Sequence, residues 1–153
     1  MKILKPLATL TLCLLSAFGT SVVLSPQQAK AEKACSNKSL DGAYGVEGGG
    51  YLNYSDLFTQ TAINVFDGNG KITGTILVRS IAGDITTNLS TGGTYQVNSD
   101  CSFSASYTRE DGSSANFSGF VFGDGNKFVF SETDSGSNVT ARGERIRKDY
   151  PSH

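Results

Sequence analysis

Ser102-Phe103-Ser104-Ala105-Ser106-Tyr107-Thr108 is the stretch whose pattern decides the fold class. Phe103, Ala105 and Tyr107 fall on one side of an extended chain and the serines on the other, because successive side chains of a strand point to opposite faces. Short β-rich runs recur at 40–46, 58–66, 71–80, 85–89 and 94–97 before it, and at 115–122, 127–133 and 138–146 after it. Within 71–80, Ile72, Ile76 and Val78 are expected on one face and Thr73, Thr75 and Arg79 on the other. Polar, glycine-rich breaks separate the runs: Gly48-Gly49-Gly50, Asp67-Gly68-Asn69-Gly70 and Glu110-Asp111-Gly112. Tight hairpins need positive φ, which Gly adopts without a Cβ clash and Asn or Asp tolerate. No window after residue 32 carries the 3.6-residue apolar period of a helix. The reading is all-β: eight or nine antiparallel strands in an up-and-down meander. Such a sheet closes into a barrel by pairing its first strand with its last, with a two-sheet β-sandwich as the alternative.

The N-terminus reads differently. Lys2 and Lys5 precede an apolar, uncharged run from Leu7 to Leu24, and Ala29-Lys30-Ala31 places small residues where a signal peptidase needs them. Residues 1–31 are therefore expected to be a secretory signal peptide, 32–148 a single β-barrel domain and 149–153 a flexible tail. The expected setting is secreted or periplasmic, with no transmembrane segment in the mature chain. From residue 32 on, ten basic residues face fourteen acidic ones, a net charge of −4 that argues against nucleic acid as a partner. Cys13 leaves with the leader, and Cys35 and Cys101 remain. In an oxidising compartment such a pair most simply forms a disulfide, with free thiols or a metal pair as alternatives.

The chemistry is bounded as much by missing residues as by those present. The only histidine is His153, so neither a Ser–His or Cys–His nucleophile nor an imidazole zinc site is expected, and no cofactor is implied. Asp67-Gly68-Asn69-Gly70 alternates oxygen donors, but position twelve of a calcium loop would be Val78, so a hairpin turn is expected. Glu47, Asp56, Glu110, Asp111 and Glu132 are the available carboxylates, and Glu132 is the one to test as catalytic should it point inward. Arg142, Arg145, Arg147 and Lys148 form a basic cluster interrupted by Glu144, which reads as a solvated final strand. Tyr44, Tyr95, Phe103, Tyr107 and Phe128 are the aromatic residues expected to ring an internal cavity, if the lumen is hollow.

Cys35-Ser36-Asn37-Lys38-Ser39-Leu40-Asp41-Gly42-Ala43-Tyr44-Gly45 resembles the C-x-x-x-S-L-x-G-x-Y-G start of small secreted bacterial domains of unknown function. The likeness extends through Phe66-Asp67-Gly68-Asn69-Gly70-Lys71-Ile72-Thr73-Gly74 and Gly93-Thr94-Tyr95 towards Cys101. It implies a calycin-like or allene-oxide-cyclase-like β-barrel in a bacterial secreted setting, and no reaction. Three functions are carried forward. The first is a non-catalytic structural or interaction domain, with Tyr51 and Tyr54 on the Gly-rich loop as its candidate patch and an extracellular or periplasmic partner. The second is a lipocalin-like carrier of a small apolar or amphipathic ligand. The third is a cyclase- or hydrolase-type enzyme.

Overall fold

The alternating runs become strands, and each pairs with its neighbours in sequence. The computed structural model describes residues 34–148. A 3-10 turn (Asn37–Ser39) leads into β1 (Asp41–Leu52), β2 (Asp56–Asp67), β3 (Lys71–Ile81) and β4 (Asp84–Val97), followed by β5 (Ser102–Thr108), β6 (Ser114–Val121), β7 (Lys127–Glu132) and β8 (Asn138–Arg147). All pairings are antiparallel, and β8 returns to β1 to close a barrel in the order β1 to β8. The sandwich alternative is not formed. The expected leader, 1–31, and tail, 149–153, lie outside the described residues.

Three local departures from the sequence pattern shape the interior. First, 85–89 and 94–97 are the two ends of one long strand, β4, which runs through Gly92-Gly93. Second, Gly48-Gly49-Gly50 does not break β1, which continues to Leu52. A Cβ at Gly48 would come within 2.8 Å of the Ala141 Cβ, so these glycines permit a close approach of β8 rather than a turn. Third, Ala62 lies opposite Ile76 while Thr61 lies opposite Val78, leaving Leu77 as an extra residue in β3. One added residue in a strand exchanges its two faces. Val78, expected beside Ile72 and Ile76, is consequently outward and 45% exposed, and Arg79 turns into the barrel.

The turn at Asp67-Gly68-Asn69-Gly70 is a hairpin. Asp67 Oδ1 accepts the backbone N–H groups of Asn69, Gly70 and Lys71 at 2.8–2.9 Å. Slight burial works against ionisation there, but the backbone donors outweigh it and hold the carboxyl below its ordinary range.

One end of the barrel is solid. Tyr44, Phe66, Phe103 and Phe128 are each withdrawn from water, contributing about 1.5–3 kcal/mol apiece relative to exposure. Their rings meet edge-on or tilted at centroid distances of 5.3–5.5 Å for Tyr44–Phe66, Phe66–Phe128 and Phe103–Phe128. Tyr95 joins them 5.1 Å from Phe66. The hydroxyls of this plug find backbone carbonyls. Tyr44 donates to Gly125 O at 2.6 Å and Tyr95 to Leu40 O at 2.8 Å. Arg145 stacks over Tyr44, 5.0 Å from the ring centroid, and donates to Ser39 O and Gly125 O. Cys35 and Cys101 lie at disulfide-bonding distance, Cα atoms 5.0 Å apart, and fasten the segment before β1 to the β4–β5 turn.

Candidate functional site in the open half of the barrel

Beyond the aromatic plug the inward positions become small or polar: Gly48 on β1, Gln60 and Asn64 on β2, Thr91 on β4, Ala115 on β6 and Ala141 on β8. These residues cannot fill the lumen. A cavity of about 370 Å³ results, reaching the barrel end that carries Leu52, Ile81 and the Arg109–Asp111 loop. Phe58, Ile76, Phe117, Phe130 and Val139 give it apolar walls.

A few polar groups interrupt those walls. Asn64 is 3% exposed, and its Nδ2 donates to the Tyr107 hydroxyl at 2.8 Å, while no protein group pairs with its Oδ1. Burial pushes the Tyr107 phenol up, against a smaller opposing effect of Asn64, so it stays protonated at neutral pH. Arg79, brought inward by the β3 bulge, gives Nη2 to Glu110 at 2.9 Å and keeps Nε buried without a partner. Nearer the rim, Arg109 donates to Glu132 Oε1 at 2.6 Å and to Asp134 Oδ2 at 3.2 Å. The Glu132 side chain is only 3% exposed. Its desolvation raises the carboxyl above its ordinary range, and the Arg109 charge opposes that rise.

The five aromatic residues expected to ring one hollow are divided by the structure. Tyr107 lines the cavity. Tyr44, Tyr95, Phe103 and Phe128 instead pack against one another in the closed end, because strand stagger brings them to the same height, where their rings leave no space. Glu132 does point inward, with its charge engaged by Arg109. Asn64, Arg79 and Arg109 were not anticipated. Arg79 lies behind an irregularity that no periodicity reveals, and Arg109 comes from a loop. The basic cluster disperses: Arg142 pairs with Glu47 outside the barrel, Arg145 caps the plug, and Arg147 and Lys148 are exposed. Tyr51 and Tyr54 are exposed on the β1–β2 hairpin, at 49% and 82%.

Among the described residues no three His, Cys, Asp or Glu side chains gather as a metal site would require, and no helix is long and apolar enough to cross a membrane. No family model, curated protein or solved structure matches the chain. What the arrangement offers chemically is a chamber with an apolar wall, a buried amide–phenol pair and an ion-paired carboxylate near its mouth.

Proposed function

We propose that the barrel binds a small amphipathic molecule in its open half, outside the cytoplasm. The observation that carries this is the contrast between the two ends: one is packed with rings, while the other leaves about 370 Å³ behind apolar walls with few convergent polar groups. That size and lining match ligand pockets, which are about 300–1,000 Å³ and mostly apolar with a small number of placed polar groups. The export setting is supported by the leader-like N-terminus and by the cysteine pair. Native mass spectrometry of the chain recovered from an oxidising compartment tests the reading. A small molecule that leaves on denaturation is expected. A bare protein that also takes up no added amphiphile would refute it.

The exposed Tyr51, Tyr54 and Leu57 on the β1–β2 hairpin favour a second reading, a surface-interaction domain. Pull-downs with Tyr51→Ser and Tyr54→Ser would leave partner recovery unchanged if that reading is wrong. An enzymatic role rests on Glu132 alone, whose raised pKa suits a general acid.

A further inference from the structure

Among the described residues Asn64 is the one polar residue buried as a whole, while Glu132, whose side chain is equally buried, spends its charge on Arg109. Asn64 stands on the inner face of β2 between Ala62 and Phe66, where packing alone would favour an apolar residue. Its Nδ2 gives one of its two N–H donors to the Tyr107 hydroxyl, and its Oδ1 has no protein partner. The Tyr107 hydroxyl accepts that bond and keeps its own proton free. Side by side in the cavity wall, therefore, are one free acceptor, Oδ1, and two free donors, the phenol O–H and the second Nδ2 N–H. Rotating the amide by a half-turn exchanges the roles and leaves the same complement: Tyr107 then donates to Oδ1, and Nδ2 and the phenol oxygen are free.

We propose that the Asn64–Tyr107 pair recognises an uncharged hydroxyl group on the leading end of an apolar ligand; this rests on the ligand-binding reading above. A hydroxyl both donates and accepts, so it meets the free acceptor and a free donor in either arrangement. A carboxylate only accepts: it can meet the donors, but in either arrangement it leaves the acceptor, Oδ1 or the phenol oxygen, unpaired and buries a charge. The nearby cations are already charge-matched, Arg79 by Glu110 and Arg109 by Glu132 and Asp134, and what remains on Arg79 is one buried N–H at Nε. An ammonium group only donates, and it would bury an unpaired charge against the phenol proton. At roughly 30 Å³ per water-sized atom, the space suits a ligand of about a dozen non-hydrogen atoms.

Calorimetric titration of the full chain at pH 7 with 1-decanol, decanoate and decylammonium tests this, each kept below its aggregation limit. Decanol is expected to bind at least about tenfold more tightly than either charged probe. Asn64→Leu and Tyr107→Phe are each expected to weaken decanol by about tenfold, the loss of a buried hydrogen bond. Tyr107→Phe carries the test should Asn64→Leu fail to fold. Equal binding of the three probes, or decanol binding unchanged in both variants, would overturn the hydroxyl assignment and leave ligand binding standing. Failure of all three probes to bind would overturn both.

Discussion

Gly143→Ala adds one methyl group to the closed end of the barrel, and the structure says it does not fit. Gly143 lies opposite Phe128 across the β7–β8 pair, and its φ is not in the left-handed region, so backbone conformation is no obstacle to alanine. The obstacle is steric. A Cβ there would fall on three carbons of the Phe128 ring, closer than real atoms approach. Phe128 cannot retreat, since it is 1% exposed and has Tyr44, Phe66, Phe103 and Phe130 all within 5.4–5.5 Å, centroid to centroid. Overpacking a filled core costs typically about 1–3 kcal/mol, and a ring boxed in by four others belongs at the upper end. A loss of about 3 kcal/mol lowers the Tm of a domain of this size by roughly 10–20 °C. Urea unfolding read by tyrosine fluorescence, in a chain without tryptophan, measures it. Phe128→Leu should relieve the clash, giving a coupling with Gly143→Ala of at least about 1 kcal/mol in a double-mutant cycle. A Gly143→Ala variant within about 0.5 kcal/mol of the parent, or one showing no coupling, would refute the packed-plug argument.

Tyr95→Phe removes the donor to Leu40 O and is expected to cost about 1–2 kcal/mol in the same assay, since a buried carbonyl is left unpaired. Replacing Cys35 and Cys101 together by serine opens a link across 66 positions and should cost about 4 kcal/mol on the chain-entropy model; chemical reduction of the parent should reproduce the loss. Glu132 gives a pH signature of opposite sign to that of an ordinary paired carboxylate. Its folded pKa lies above the unfolded value of about 4.3, so its contribution to stability is fully present below that pH and lost as pH rises through the folded pKa. Arg109→Ala removes the opposing charge, and carbon-13 titration of the Glu132 carboxyl should move further upward. A downward move would contradict its burial.

Strand existence was legible because β5 alternates without ambiguity and because the Asp67–Gly70 turn carries chemistry that only a hairpin uses. The interior was less so. In β2 the inward set is Phe58, Gln60, Ala62, Asn64 and Phe66, while the outward set contains Leu57, Ile63 and Val65. Apolar residues on both faces leave the parity of the strand unspecified, so Asn64 could not be placed inside by pattern alone. The extra residue at Leu77 reverses the two faces of β3 halfway along, and with them the fates of Val78 and Arg79. The division of the lumen into plug and cavity depends on height along the barrel, which the stagger between strands sets. Spacing in sequence does not show that Tyr44, Phe66, Phe103 and Phe128 meet at one level while Tyr107 stands above them. Gly48-Gly49-Gly50 misled for a related reason, since the same residue serves turns and close strand approach.

One half of this barrel is solid, and in the proposed function the other half receives a ligand. Methyl-resolved NMR of the full chain during titration with 1-decanol addresses it most directly. Shifts are expected at Ile76, Ala115 and Val139 around the chamber, with Val97 and Val121 in the packed half unmoved. Shifts confined to the exposed Val78 and Ile85, or spread equally through both halves, would contradict it.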